Sequence, residues 1–184
     1  VYVPRWQSER LAQEAVSRLP NDGFAIDLCT GAGAIAVVLM RRRPLARILA
    51  TELDPVAEIC ARRNGVEVYR GDMAGGLPAF CNGKADVVTA IVPYVPTADL
   101  HLLPRDVLAK EPVHALDGGK DGTDFLCRAI VDAASLLRNG GSLLLELGGD
   151  QAQVLEPVLF ANGYREVELS LDDDGELRAL FAIR

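Results

Sequence analysis

Apolar positions along this chain follow two alternating rhythms. Leu11, Ala15, Val16 and Leu19 recur at helical spacing, predicting a helix over residues 7–19 with Ser8 as its cap and Glu9 in its first turn. Pro20-Asn21-Asp22-Gly23 breaks it. The short apolar run Phe24-Ala25-Ile26 then reads as a strand ending in Asp27, followed by Gly31, Gly33 and a helix-forming run from Ala34 to Arg42. The same alternation continues. Strands are predicted over 46–51, 66–69, 85–91 and 142–147, and helices from Asp54-Pro55 to about Arg63, over 123–137 and over 151–161. Asn139-Gly140-Gly141 and Asn162-Gly163 read as helix stops. Two final runs, 164–171 and 176–183, flank the turn residues Asp172-Asp173-Asp174-Gly175 and predict an antiparallel pair. Residues 74–84 read as a loop. Residues 97–122 form a long connection of the kind that is usually functional or mobile. Five strand–helix units and a terminal hairpin predict a doubly wound α/β fold, Rossmann-like, with a mostly parallel seven-stranded sheet ending in an antiparallel pair.

Length and composition narrow this picture. A chain of 184 residues with nearly half of them apolar is one domain with room for a sizeable core. No apolar run reaches the length of a membrane span, and no stretch looks like a signal peptide. The formal charge of −7 argues against a surface that wraps nucleic acid and leaves room only for a local basic patch. Cys29, Cys60, Cys81 and Cys127 are too far apart for zinc pairs and read as reduced, mostly buried thiols, which points to the cytoplasm. No metal site is expected. The sequence begins at Val1 rather than Met, which leaves room for a segment ahead of it.

The candidate chemistry lies where predicted strands end. Strand, tight glycine turn and helix at 24–42 make a nucleotide-binding unit, because glycines let backbone approach a ligand and the helix start offers free amides. Gly31-x-Gly33-x-x-Ala36 alone would also pass as a dinucleotide fingerprint. Three acids follow in order. Asp27 could orient the glycine loop and a ligand amine. Glu52, nineteen positions past Gly33, could accept both hydroxyls of a ribose, and Asp72 an adenine amine, with Met73 against the ring. Each acid could instead be a helix cap, turn former or solvated strand end; their succession along one sheet edge favours a ligand site. S-adenosylmethionine fits better than NAD, because its ammonium gives a carboxylate beside the glycine loop something to bind. Arg41-Arg42-Arg43 reads as favourable charge at a helix end rather than a phosphate patch. His101 and His114 read as isolated surface or structural residues, and Trp6 as packing on the first helix. Glu146 either orients the 111–122 segment or simply ends its strand.

With these residues placed, the chain resembles the release-factor glutamine methyltransferases and their related branch, within the class I S-adenosylmethionine-dependent methyltransferases. Val3-Pro4-Arg5 with Ser8-Glu9, Asp27-Leu28-Cys29-Thr30-Gly31-Ala32-Gly33-Ala34-Ile35-Ala36, Glu111-Pro112 with Ala115-Leu116, Gly118-Gly119 and Asp121-Gly122, and Leu145-Glu146-Leu147-Gly148 with Gln151 each resemble a family block. The resemblance covers almost the whole chain and implies one methyltransferase domain over 1–184; the family's helical substrate-recognition domain is not among these residues. It implies S-adenosylmethionine held by Asp27, Thr30, Gly31, Gly33, Glu52, Leu53, Asp72 and Met73, and a protein substrate such as a release factor bearing a Gly-Gly-Gln glutamine. No direct nucleic-acid or membrane contact is implied.

One block departs. After strand four the family has Asn-Pro-Pro-Tyr, and this chain has Ile91-Val92-Pro93-Tyr94. The family's Asn side chain and the next backbone carbonyl hold the substrate amide, whose nitrogen is a poor nucleophile and must be positioned. Val92, Pro93 and Tyr94 can still form the acceptor pocket, but Ile91 has no polar atom. Losing one positioning hydrogen bond in a dry site costs about 2–4 kcal/mol in the transition state. Cys29, in place of a family glycine, reads as packing. Three readings follow: a glutamine-amide methyltransferase, an S-adenosylmethionine-binding protein with weak transfer or another acceptor, and an NAD-dependent oxidoreductase.

Overall fold

In the computed structural model, which describes residues 1–184, the buried apolar runs pair into one seven-stranded sheet. In chain order the elements are α1 (Ser8–Arg18), β1 (Phe24–Leu28), α2 (Ala34–Arg42), β2 (Arg47–Glu52), α3 (Pro55–Arg63), β3 (Val68–Arg70), β4 (Ala85–Ala90), α4 (Arg105–Lys110), α5 (Asp124–Leu136), β5 (Leu137–Glu146), α6 (Gln151–Ala161), β6 (Arg165–Leu171) and β7 (Leu177–Ile183). Across the sheet the order is β3-β2-β1-β4-β5-β7-β6. The first five strands are parallel, and β7 runs antiparallel to both neighbours. Succession reverses between β1 and β4, which opens a crevice at their C-terminal ends. The expected doubly wound fold with an antiparallel terminal pair is the fold observed.

Each face of the sheet carries its own core. Leu126, Ile130, Leu155 and Leu159 of α5 and α6 cover one side; Leu11, Ala15, Ile35 and Leu39 of α1 and α2 cover the other. All but Ile35 are almost wholly removed from water, and full burial of one leucine is worth about 1.5–3 kcal/mol. Arg43, just past α2, donates to the carbonyls of Val16 (2.7 Å) and Leu19 (2.9 Å), satisfying groups that the end of α1 leaves open. The arginine cluster therefore does more than meet a helix dipole.

Four local expectations need correction. Ser8 does not cap α1; Gln7 occupies the cap position without a side-chain bond, and the Ser8 hydroxyl donates to Glu146 Oε2 at 2.5 Å. A buried carboxylate is a stronger acceptor than a solvated cap arrangement can offset. Asn139-Gly140-Gly141 does not close α5: the helix stops at Leu136, Leu137 pairs at once with Ala85, and pairing resumes at Ser142 opposite Val87 after a bulge. Trp6 is 68 % exposed and does not pack on α1. Of the four cysteines, all free, only Cys81 is fully buried. The 97–122 connection holds α4 and two 3-10 turns, and the bridge Val95–Asp117 returns its end to the exit of β4. The last residue, Arg184, exchanges backbone bonds with Gly140 and Gly141 at the sheet edge opposite the crevice. No helix is long and apolar enough to cross a membrane.

Candidate active site

The crevice is a single cleft of about 710 Å³ over the C-terminal ends of the strands. Its first wall is the β1–α2 turn. Asp27, at the end of β1, is 2 % exposed and lies in register with Thr89 on β4. Its Oδ1 accepts from the Thr89 hydroxyl (2.7 Å) and its Oδ2 from Thr30 (2.5 Å), so one carboxylate fixes the loop to the neighbouring strand. Burial raises the Asp27 pKa from 3.8 to about 6, and the two hydroxyls partly oppose that rise. The two loop glycines differ. Gly31 sits at φ +57 with nothing within 4 Å of where a Cβ would be, so it leaves space in the cleft. Gly33 sits at φ +86, and a Cβ there would come within 2.8 Å of Val66. Expected as a cofactor residue, Gly33 does not line the cleft; it lets the turn pack against the segment beneath.

Glu52, at the end of β2, accepts from the amides of Gly31 (2.8 Å, at Oε2) and Asp54 (2.8 Å, at Oε1). Both oxygens keep lone pairs for a ligand. Leu53 beside it is exposed at the cleft rim, and the Asp54 carboxylate caps α3 as expected. His114 Nε2 lies 3.4 Å from Asp54 Oδ2, so it is less isolated than its sequence position implied; His101 turns back to the Ala98 carbonyl (2.6 Å). Asp72 lines the cleft after β3 and is held by Arg128 (2.6 Å) on α5. Met73 follows with φ +51, buried, its sulfur 3.6 Å from the Cys29 thiol. Burial and the neighbouring acids push the Cys29 thiol up to about 12, so it stays protonated and serves as packing.

The second half of the cleft is built on the exit of β4. Ile91, Val92, Pro93 and Tyr94 all line it. The Tyr94 hydroxyl donates to Glu146 Oε1 at 3.1 Å, while Ser8 occupies the other oxygen. Glu146 thus ties Tyr94 to the start of α1, and its hydrogen bonds go there and not to the 111–122 segment. Burial raises its pKa, and burial, with the Glu146 charge second, drives the Tyr94 hydroxyl far above its ordinary range. The 111–122 segment is held instead by Gln151, whose amide donates to the Tyr94 (2.7 Å) and Gly122 (3.2 Å) carbonyls. A Cβ on Gly118 would approach the Tyr94 Cα to 2.7 Å, and one on Gly122 would overlap the Tyr94 carbonyl oxygen. Glycine at both positions is what allows the segment to lie against the pocket backbone.

Several lining residues escaped the sequence reading. Tyr2 and Arg5 close the cleft from the N-terminal side, with the Arg5 guanidinium 5.1 Å over the Tyr2 ring and paired to the buried Glu111. Arg178 enters from β7, paired to Asp172 at 2.6 Å. Phe125, Leu103 and Val107 add apolar surface. Thr89, which lies behind the lining and holds Asp27, was the most findable of the residues missed: a polar residue in an otherwise apolar buried strand needs a partner.

Comparison with known proteins follows this geometry. No protein-family model matches the chain. The release factor glutamine methyltransferase of Moorella thermoacetica is 38 % identical over 195 aligned positions, covering 100 % of this chain and 68 % of that protein. The enzyme of the same name from Geobacter sulfurreducens is 33 % identical, covering 95 % and 63 %. The chain thus spans about two thirds of the length of these relatives. Among solved structures, the ribosomal protein L11 methylase of Lactobacillus delbrueckii subsp. bulgaricus superimposes with a TM-score of 0.67 at 16 % identity, over 98 % of this chain and 80 % of that one, a likeness of fold. On the strength of these relatives, the chain belongs to the release factor glutamine methyltransferase family, whose members are S-adenosylmethionine-dependent N-methyltransferases.

Proposed function

We propose that residues 1–184 form a methyltransferase domain that methylates the side-chain amide of a glutamine in a protein substrate, a peptide chain release factor. The observation that carries this reading is the continuity of the cleft, which joins the acidic strand ends to the exit of β4. The residues present suit the cofactor. Glu52 has lone pairs to spare for the ribose hydroxyls, Gly31 leaves open space, and Met73 offers an apolar, polarisable surface to a ring. Asp27 would orient the loop and face the ammonium group, Thr30 and Leu53 would bound the site, and Asp72 would receive an exocyclic amine.

When bound, S-adenosylmethionine supplies a methyl group on a positively charged sulfur, an electrophile that leaves behind a neutral thioether. The chain's own residues position the acceptor. The Val92 carbonyl would accept an amide hydrogen, Pro93 would stiffen the turn, and Tyr94, held by Glu146, would wall the pocket. Gln151 holds the connection against the Tyr94 carbonyl, which fixes the backbone of the pocket wall, and a bound substrate that displaced water there would strengthen each positioning contact.

The test pairs calorimetric titration of S-adenosylmethionine with transfer to a release-factor domain bearing the acceptor glutamine, for this chain and for Ile91→Asn. The chain is expected to bind the cofactor and methylate the glutamine. Ile91→Asn, which restores an amide beside Val92, is expected to raise turnover by about thirtyfold or more at unchanged cofactor affinity. Absence of transfer to that glutamine by both proteins, with the cofactor bound, would overturn the substrate; preference for NAD would overturn the activity.

A further inference from the structure

Helix α5 holds the loop after β3 at two points. Arg128 donates from Nη2 to Asp72 Oδ2 at 2.6 Å, and the Ala74 amide donates to Asp132 Oδ2 at 3.0 Å. Arg128 and Asp132 stand four residues apart, on one face of the helix. The loop between these anchors is itself tight: the Gly75 amide bonds back to the Asp72 carbonyl at 2.8 Å, and a Cβ on Gly71 would overlap the Gly75 oxygen. Asp72 stays open. Its side chain is 51 % exposed, it lines the cleft, and its Oδ1 takes no bond from the protein. The same guanidinium lies 5.6 Å over the ring of Phe125, which also lines the cleft. Arg128 is thus joined to two cleft-lining residues, and the proposed transfer has given it no part.

We infer that Arg128 is a positioning residue that makes the nucleotide end of the cleft selective for adenine. This rests on the proposed S-adenosylmethionine site, in which Asp72 receives the exocyclic amine. An aspartate on an exposed loop turns about its side-chain bonds, and ordering it when a ligand arrives costs entropy. The Arg128 contact removes that cost beforehand: one oxygen is held, and the other is left for a ligand. A carboxylate only accepts hydrogen bonds. It pairs with the 6-amino group of adenine and repels the 6-oxo group of hypoxanthine, so a fixed Asp72 discriminates by attraction and repulsion together. Because the pair is half exposed, its contribution is orientation more than net attraction. Arginine suits the task, since its planar fork sets the angle of the carboxylate while its face lies over Phe125, which a lysine ammonium does not reproduce.

The unaltered chain, Arg128→Ala, Arg128→Lys, Asp72→Asn and the Asp72→Asn, Arg128→Ala double variant are compared by calorimetric titration. The ligands are S-adenosylhomocysteine and S-inosylhomocysteine, its hypoxanthine counterpart. The unaltered chain is expected to prefer S-adenosylhomocysteine. In Arg128→Ala that ligand is expected to bind about fivefold more weakly while S-inosylhomocysteine changes by less than about twofold, so the preference narrows. Arg128→Lys, which keeps the charge without the fork, is expected to recover part of the preference, and Arg128→Ala should cost nothing further once Asp72 is Asn. An unchanged preference in Arg128→Ala overturns the inference while leaving the cofactor site standing. An equal loss for both ligands also overturns it, by showing a general disturbance of the loop, and so does an undiminished loss in the double variant, by showing that Arg128 acts through another group. Failure of the unaltered chain to bind S-adenosylhomocysteine at all overturns the cofactor reading and the inference with it.

Discussion

Asp27 carries two duties that pull in opposite directions. Its carboxylate organises Thr30 and Thr89, yet burial penalises the charge and raises its pKa to about 6. Native protein therefore binds this proton before the unfolded chain does as pH falls. Stability from this group rises as pH drops through the window from about 6 to 4, and the cost of keeping the charge is fully present above 6. At about 1.4 kcal/mol per pK unit, the penalty at neutral pH is roughly 3 kcal/mol. Urea unfolding of the chain and of Asp27→Asn across pH 4–7 checks this. The variant is expected to lose that sloping contribution and to bind S-adenosylmethionine at least tenfold more weakly; parallel pH profiles would contradict it. Asp27 was legible in the sequence because it ends a short apolar run before a glycine turn. Its partners were less so: Thr89 is distant in sequence and becomes its neighbour only through the parallel β1–β4 register. Gly33 shows a related limit: the motif says that a glycine is needed there, and only the fold adds that packing against Val66 needs it.

Among the elements, the 111–122 segment shows how a connection becomes part of a site. Gly118 and Gly122 lie against the backbone of Pro93 and Tyr94, and Gln151 bonds both sides of the join. Gly122→Ala would place a methyl group on the Tyr94 carbonyl and force an L side chain to φ +76. The expected result is a loss of about 2–4 kcal/mol in denaturant unfolding, with a fall in transfer larger than the fall in cofactor affinity. A variant with native stability and activity would show that the segment does not need this close approach. The boundaries of regular elements were largely readable, since α2 and α6 match their expected spans and hydrophobic period fixes them. The end of α5 was not. Asn139-Gly140-Gly141 carries helix-stop residues, but the β4–β5 pairing claimed Leu137 first and turned the glycines into a bulge.

For the molecule as a whole, the cleft is closed by chain segments that are far apart in sequence. Arg5, on the cleft wall, pairs with Glu111 from far along the chain, and Glu111 is buried with its other oxygen unpartnered. Arg5→Ala would strip that carboxylate of its cation. Arg5 itself is a third exposed, so the expected destabilisation is about 1–2 kcal/mol, short of the value for a fully buried pair. Residues 1–7 should then be cut faster in limited proteolysis, an outcome that S-adenosylhomocysteine would partly reverse; an unchanged cleavage rate would argue that the pair does not hold the segment. Sequence reading could place the strand-end acids along one edge because topology dictates that edge, whereas side-chain pairs such as Arg5–Glu111 depend on distances no local pattern encodes. Residues Val1 and Arg184 also lie on opposite sides of the sheet: Val1 lines the cleft, while Arg184 is bonded at the far edge. A dye or tether attached at Arg184 therefore projects away from the opening, and a molecule immobilised through that residue keeps its working face turned outward.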